Sequence, residues 1–290
     1  MLLSLNLAMV QAWNCNGHML VAQIAYNSCS AATQTMLDTV AGYLAPEYPL
    51  SPDFVQSACW ADDIKSYDSS TSIWHYIDLP IFRGRIYFPF LAADLNVSSN
   101  PWAINQALKT LSSTKAPNMD LSRSLRFLNH FAGDLAQPLH AATLISQQFP
   151  NGDAGGNGYR ISGTNYSNLH SLWDSGVQLF SPFLTRPLNQ TGIDTLTAGV
   201  NAITSQFPPS AFQPATLQVT DPFAVADESS KIANDFVYTA PRESEGPVPE
   251  TYIQQGQIIC AQQIALAGYR LGNVLETLYT GARSHGHLRG

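Results

Sequence analysis

Residues 125–140 read LRFLNHFAGDLAQPLH, and this stretch decides how the rest of the sequence is interpreted. Its apolar residues recur at helical spacing and predict a helix over 121–137. His130 and Asp134 stand four residues apart, which places an imidazole and a carboxylate on one face of that helix. A proline then ends the helix and leaves His140 just beyond the last turn.

Helical spacing of apolar residues continues through most of the chain, and strand alternation is scarce. The predicted helices cover 20–44, 54–66, 102–111, 121–137, 167–180, 190–206, 222–238 and 250–279. The best strand candidate is 86–90, although Pro89 weakens it. Residues 141–164 form a long loop with five glycines, a length typical of a functional segment. We therefore expect a mainly α protein with a single domain.

The composition limits the kind of function. The chain has 290 residues, of which 45% are hydrophobic and 12% charged, which excludes intrinsic disorder. Fourteen Lys and Arg against twenty-one Asp and Glu give a net charge of −7, unsuited to a broad basic face for nucleic acid. A polyanionic substrate would need bound cations to attract it. No apolar run reaches the length of a membrane span, so we expect no membrane partner.

More imidazole and carboxylate groups follow the pattern of the first pair. His170 and Asp174, in NLHSLWD, again stand four residues apart, and Asp62 and His75 lie among large apolar residues. One His–Asp pair is more often a surface hydrogen bond, but two pairs together with His140 favour a metal centre. Metal ligation would satisfy polar groups that are costly to bury alone. Nitrogen and oxygen donors suit zinc best, with Mn²⁺ or Fe²⁺ as alternatives.

The N-terminal residues and the cysteines suggest a secreted protein. Residues 1–12 are apolar and end in small residues, which predicts a signal peptide cut before Trp13; an apolar N-terminal strand is the alternative. Four cysteines form no zinc motif and predict two disulfides with the pairing open: Cys15, Cys29, Cys59 and Cys260. Sequons at Asn96, Asn165 and Asn189 fit an extracellular glycoprotein. The predicted organisation is a signal at 1–12, a domain at 13–280 and a flexible tail at 281–290.

Seven motifs together carry a resemblance to a known family. They read WNCNGH at 13–18, WADD at 60–63, WHYID at 74–78, the stretch 125–140 quoted above, GGN at 155–157, NLHSLWD at 168–174 and GYRLGNVL at 268–275. The chain resembles the zinc-dependent single-strand nuclease family, which includes fungal single-strand nucleases, plant bifunctional nucleases and protist 3'-nucleotidase/nucleases. The motifs occur in the family's order and span nearly the whole mature chain.

The resemblance implies a fold and a metal cluster. The fold would be the mainly α one shared with bacterial zinc phospholipase C, with three Zn²⁺ ions at the bottom of a cleft. The implied ligands are Asp62, His75, His130 and Asp134 for the first zinc, His140, His170 and Asp174 for the second, and His18, Asp134 and the amino nitrogen and carbonyl oxygen of Trp13 for the third. The third set requires a free amine at Trp13, and hence removal of the leader.

The resemblance also implies the reaction. A water activated by the zinc ions, beside the ligand Asp62, would attack phosphorus in single-stranded DNA, RNA or a 3'-mononucleotide and give 5'-phosphate products. Lys65 matches a basic residue near the transition-state charge; a solvated helix lysine is the alternative. Asp63 is expected to lie exposed on the helix beside Asp62; an acid that supports the metal ligand from behind is the alternative.

The same comparison implies a pocket for the base. Tyr76 would stack on the base, with an ordinary core aromatic as the alternative, and Asp78 would bind the base edge. Gly155 and Asn157 would shape the pocket. No protein partner is expected.

Two rival functions stay open at this point. A phospholipase C of the same fold would use the cluster on a lipid phosphodiester, but it usually has Glu where this chain has Asp174. A secreted protein with a structural zinc cluster is the other, although structural sites are closed by protein ligands.

Overall fold

The computed structural model describes residues 13–84, 97–180 and 183–284, with side chains described as far as residue 280. The proposed signal peptide at 1–12, the strand expected at 86–90, the sequon at Asn96 and the end of the expected tail lie outside these residues. The described part of the chain is mainly helical, as the sequence predicts.

Ten α-helices follow one another along the described chain. They are α1 (Cys15–Ser28), α2 (Ala31–Gly42), α3 (Trp60–Ile64), α4 (Asn100–Leu111), α5 (Asn118–Ala136), α6 (Leu169–Asp174), α7 (Gln190–Gln206), α8 (Pro214–Leu217), α9 (Pro222–Asp235) and α10 (Glu250–Ser284). Short 3-10 helices span Gln56–Cys59, Ser69–His75, Pro138–Ala141, Pro209–Ala211 and Val237–Thr239. Two strands, β1 (Pro80–Phe82) and β2 (Thr143–Ile145), pair in parallel.

The helix expected over 20–44 is two helices. The chain is extended at Cys29, with ψ of 153°, and the hydroxyl of Ser30 accepts a hydrogen bond from the amide of Thr33 at 3.3 Å to begin α2. A serine cap satisfies an amide that the helix itself leaves unpaired. The apolar periodicity runs through this break, and so the single long helix was a wrong prediction.

The helix α10 packs directly against α1. A Cβ placed on Gly268 would lie 2.6 Å from the Cβ of Ile24, and one on Gly272 would lie 3.1 Å from the carbonyl oxygen of Ala25. These glycines let the two helix backbones approach closely, which explains the glycines of the GYRLGNVL motif.

The short parallel pair β1–β2 brings two distant segments together. The amide of Ile77 donates to the carbonyl of His140 at 2.8 Å, and the amide of Thr143 donates to that of Leu79 at 2.9 Å. Each strand has three residues, too few for an alternating pattern to show in the sequence. The pairing holds the segment that follows His75 beside the end of α5.

Only one of the two expected disulfides forms. Cys15 and Cys59 are joined, whereas Cys29 and Cys260 are buried free thiols. The Cys29 sulfur lies 3.7 Å from the carbonyl of Gly272, which is twelve residues after Cys260 on α10. Twelve helical residues span about 18 Å, and a disulfide needs Cα atoms within about 7 Å. The second bridge was therefore a wrong prediction.

None of the helices in the described residues combines the length and the apolar character that crossing a bilayer would require.

Candidate metal centre

Six elements deliver a buried set of imidazoles and carboxylates to one place. α5 carries His130 and Asp134 on one face, as their spacing predicts, and the turn at Pro138 adds His140. The remaining members are His18 from α1, Asp62 from α3, His75 from the 3-10 helix Ser69–His75, and His170 and Asp174 from α6. They form three groups of possible metal ligands: His18, His130 and Asp134; Asp62, His75 and His130; and His140, His170 and Asp174.

Asp134 lies between the first two groups. Its side chain is 0% exposed; Oδ1 lies 3.4 Å from Nε2 of His18, and Oδ2 lies 3.0 Å from Nδ1 of His75 and 3.3 Å from Nε2 of His130. A carboxylate whose two oxygens face different imidazoles has the geometry of a bridge between two cations.

Asp62 is the carboxylate of the second group. Its Oδ1 lies 3.7 Å from Nδ1 of His75 and 3.6 Å from Nε2 of His130. The ammonium of Lys65 lies 2.5 Å from the same oxygen, and the lysine side chain is only 14% exposed. Lys65 is therefore not the solvated helix lysine of the alternative interpretation.

The third group is built around Asp174. Its Oδ2 lies 3.2 Å from Nε2 of His170, and its Oδ1 lies 3.6 Å from Nε2 of His140. Gln137 donates to Oδ1 at 2.7 Å, a role that the sequence analysis missed although the residue lies in the quoted stretch. The amide of Asn14 donates to the Asp174 carbonyl at 2.7 Å, which places the backbone next to Trp13 beside this group.

Backbone carbonyls orient three of the rings. The Nδ1 atoms of His130, His140 and His170 lie 2.6 to 2.8 Å from the carbonyl oxygens of Ala58, His75 and Gly155, respectively. A ring that donates Nδ1–H to a carbonyl keeps its lone pair on Nε2, the atom that faces the site. Sequence patterns carry no signal for such carbonyl contacts.

Several buried polar atoms of the centre have no hydrogen-bond partner among the described residues. They are both ring nitrogens of His18, both carboxylate oxygens of Asp134, Oδ1 of Asp62 apart from its ion pair with Lys65, and Nε2 of His75, of His140 and of His170. Leaving such atoms buried and unpaired is costly, and a cation bound between them would remove that cost. The donor atoms are all imidazole nitrogen or carboxylate oxygen, so the residues fit zinc.

The charges of the centre suit cations. Burial favours the neutral form of Asp62, but His130, Lys65 and His75 outweigh it and lower the pKa of Asp62 to about 2. Burial lowers the pKa of His75 to about 4 and also lowers that of His18. Burial opposes protonation of two other rings, but Asp134 and Asp62 raise the pKa of His130, and Asp174 and Asp134 raise that of His140 to about 9. A cation that binds these two rings would therefore displace protons from them.

The residues expected to bind a base lie directly after His75. Tyr76 is 39% exposed, which contradicts the alternative of an ordinary core aromatic. Asp78 is partly buried, and burial together with the nearby carboxylate of Asp153 raises its pKa to about 6.

The glycine-rich loop lies against the third group. A Cβ on Gly155 would lie 2.6 Å from the carbonyl oxygen of Leu139, and its φ of +60° also favours glycine. Asn157 donates from its side chain to the carbonyl of Ala154 at 2.8 Å, which shapes the loop. Both residues thus have a clear structural role here.

Two further polar pairs were missed or misjudged from the sequence. Asp63 is bound by the guanidinium of Arg186 at 2.7 and 2.9 Å, so it is paired rather than simply exposed. The buried Asp153 accepts hydrogen bonds from the amide of Leu144 at 2.9 Å and from the hydroxyl of Tyr238 at 3.0 Å, which ties the middle of the loop to β2. Partners this far apart in sequence leave no local pattern.

Comparison with known proteins gives a consistent result. A family model described as S1/P1 Nuclease matches residues 13–280. Endonuclease 2 of Arabidopsis thaliana is 26% identical, over 93% of this chain and 91% of its own length. Nuclease S1 of Aspergillus oryzae is 24% identical, over 92% of this chain and 91% of its own. Nuclease P1 of Penicillium citrinum is 27% identical, over 56% of this chain and 57% of its own.

Proposed function

Because the chain belongs to the S1/P1 nuclease family, we propose that it is a zinc-dependent endonuclease and 3'-nucleotidase that hydrolyses single-stranded DNA and RNA to 5'-phosphate products. The observation that carries this proposal is the set of three buried His and Asp groups, two of which meet at Asp134. Family membership supplies the reaction class, and the geometry supplies the place where it would occur.

The proposed ligand sets are those that the family resemblance implies, and the three groups described above support them in part. Asp62, His75, His130 and Asp134 would hold one zinc; His140, His170 and Asp174 a second; and His18, Asp134 and the amine and carbonyl of Trp13 a third. Asp134 supports the shared position because its two oxygens face different imidazoles. Bound zinc ions would supply a water of lowered pKa and positive charge for the phosphate oxygens.

The protein side chains have their own tasks in this proposal. Gln137 holds the carboxylate of Asp174 in place through its hydrogen bond of 2.7 Å. The Lys65 ammonium, held against Asp62, adds positive charge beside the second group, where it would stabilise charge that develops on phosphate in the transition state.

The residues proposed to bind a base favour a single-stranded substrate. The exposed ring of Tyr76 offers a stacking surface beside His75, and Asp78 would accept a hydrogen bond from the base edge. Gly155 and Asn157 complete the pocket by shaping the loop. A base can reach Tyr76 only after leaving its stack, which disfavours duplex DNA. Cations confined to the centre would also let a chain of net charge −7 bind a polyanion locally.

We place the protein outside the cytosol. The disulfide between Cys15 and Cys59 suggests an oxidising compartment, and a leader removed before Trp13 would free the amine for the third zinc. Mass spectrometry of the secreted protein should then find Trp13 as its first residue.

A substrate comparison separates this proposal from its rivals. The protein is incubated with single-stranded DNA, the same DNA as a duplex, and phosphatidylcholine vesicles. We expect cleavage of the single strand, much slower cleavage of the duplex and no release of phosphocholine. Release of phosphocholine in place of nucleotides would identify a phospholipase C, and no turnover of any substrate would favour a structural cluster.

A further inference from the structure

A groove separate from the metal centre lies between α4, α5 and the 3-10 helix Ser69–His75. Its volume is about 260 Å³, and the side chains that line it include Trp74, Trp102, Asp120, Arg123 and Phe127. The ring centroids of Trp74 and Trp102 lie 5.8 Å apart, and that of Trp74 lies 5.5 Å from that of Phe127. Both tryptophans pack against the core and are partly exposed, so part of each ring system can be reached from solvent.

The groove also carries charge suited to a nucleotide. The guanidinium carbon of Arg123 lies 5.8 Å from the ring centroid of Phe127, and the arginine is exposed. The carboxylate of Asp68 interacts with it electrostatically, although no ion pair of Arg123 within 4.0 Å is found among the described residues. A guanidinium beside aromatic rings can bind a phosphate while a base stacks on the rings. The carboxylate of Asp120 offers an acceptor for an amino group on a base edge.

The groove and the metal centre are joined through α5. Arg123, Phe127 and His130 follow one another at spacings of four and three residues, so they form one stripe on that helix. Phe131, which also lines the groove, packs against the ring of His75 with a centroid distance of 5.0 Å. Three consecutive residues thus serve three places: Trp74 the groove, His75 the centre, and Tyr76 the exposed aromatic beside it.

The separation of the two places sets the length of strand that would reach both. Arg123 precedes His130 by seven residues, which is about 10 Å along a helix. Stacked nucleotides advance about 3.4 Å each along a strand. About three nucleotides would therefore span the distance from the metal centre to the groove.

We propose that this groove is a second subsite for the single-stranded substrate, in which a base stacks on Trp74 and Trp102 and Arg123 binds its phosphate. The proposal rests on the proposed function and deepens it. It assigns this chain a preference for strands of several nucleotides over dinucleotides, since only longer strands occupy both places.

The test compares two substrates for the protein and its variants. They are single strands of eight and of two deoxyadenylate nucleotides, called the octanucleotide and the dinucleotide below. Trp102→Ala should lower kcat/KM for the octanucleotide about 5- to 100-fold, the range expected for a lost base–aromatic contact, with a smaller loss for the dinucleotide. Trp102→Phe should restore most of the loss because it keeps a stacking ring. Arg123→Gln, at an exposed position, should weaken the octanucleotide reaction and reduce its salt dependence.

Controls separate a failed subsite from a failed function. Phe183, also an exposed aromatic, lies outside the groove, so Phe183→Ala should leave both reactions unchanged. Anisotropy of a labelled octanucleotide, measured with chelator so that no strand is cut, reports binding alone. The affinities of the variants should follow the same order as their kcat/KM values for the octanucleotide. Equal losses on both substrates, or unchanged octanucleotide affinity in Trp102→Ala and Arg123→Gln, would overturn the subsite. Binding that depends on Trp102 without any hydrolysis would instead contradict the proposed function and support the groove.

Discussion

At the scale of single residues, Gly133 sets how closely α5 approaches the ring of His18. A Cβ at this position would lie 2.6 Å from Nδ1 of that ring, which is fully buried. Alanine normally stabilises a helix interior by about 1 kcal/mol relative to glycine. At Gly133 this gain in helix stability would be opposed by a clash with His18, a proposed metal ligand. The clash explains why the motif HFAGD contains a glycine.

We predict that Gly133→Ala displaces His18 and lowers the metal content of the purified protein. Gly42→Ala is the matched control, because Gly42 ends α2 and a Cβ there meets nothing within 4 Å. Metal analysis of the two variants after identical dialysis provides the measurement. Full metal content in Gly133→Ala would mean that His18 is no ligand or that its ring tolerates the displacement.

Asp134 makes the second prediction at this scale. Its two oxygens face His18 on one side and His75 and His130 on the other, so its loss removes a charged ligand from two cations at once. Asp134→Ala should abolish hydrolysis and release more than one equivalent of metal, while Asp174→Ala should release mainly one. Equal losses from the two variants would argue against the bridging position of Asp134.

At the scale of elements, the sequence predicts the long helices well and the short or interrupted ones poorly. The helix expected over 121–137 is α5, and that over 190–206 coincides with α7. The helix expected over 167–180 is only α6, because the chain turns through positive φ at Gly176, Val177 and Gln178. Val177 is buried although it lies outside the helix, and so apolar spacing alone concealed the turn.

In the metal centre too, contacts within one helix could be predicted from the sequence, whereas contacts between distant segments could not. The pairs His130–Asp134 and His170–Asp174 could be predicted because four residues of one helix fix their relation. The carbonyl of Ala58 behind His130, and Arg186 on Asp63, come from parts of the chain that only folding brings near. A single sequence contains no local pattern for them.

The cap of α6 provides a test at the scale of elements. The side chain of Asn168 accepts a hydrogen bond from the amide of Ser171 at 2.8 Å and so fixes the start of the short helix that carries His170 and Asp174. Asn168→Ala should lower the free energy of unfolding by about 1 kcal/mol, the usual value of a lost cap. It should also weaken metal binding by the group of His140.

Asp221→Ala is the control for this cap. Asp221 caps α9, which carries none of the proposed ligands, through the amide of Phe223 at 3.1 Å. Thermal unfolding and zinc titration of both variants should show similar losses of stability but a loss of affinity only in Asn168→Ala. Equal zinc affinities in the two variants would show that the cap of α6 does not affect metal binding.

At the scale of the whole molecule, one disulfide ties the start of α1 to the start of α3 and thereby fixes His18 relative to Asp62. The bridge closes a loop with a sequence separation of 44 residues. A loop of that size is expected to add about 4 kcal/mol of stability by restricting the unfolded chain. Cys15→Ala with Cys59→Ala should lose about that much, as measured by denaturant unfolding.

Thiol counting checks the same assignment. The unreduced protein, once denatured, should react with a thiol reagent at two cysteines, Cys29 and Cys260. A protein with no reactive thiol would contain the second disulfide that the structure excludes.

We propose that the buried His and Asp groups hold zinc ions that this chain uses to hydrolyse single-stranded nucleic acid. The most direct measurement is hydrolysis of single-stranded DNA by protein stripped with chelator, before and after zinc is added back, with metal content determined in each state. We predict no hydrolysis by the stripped protein, and recovery of hydrolysis as zinc returns toward three ions per chain. Full activity in protein that contains no metal would contradict the account.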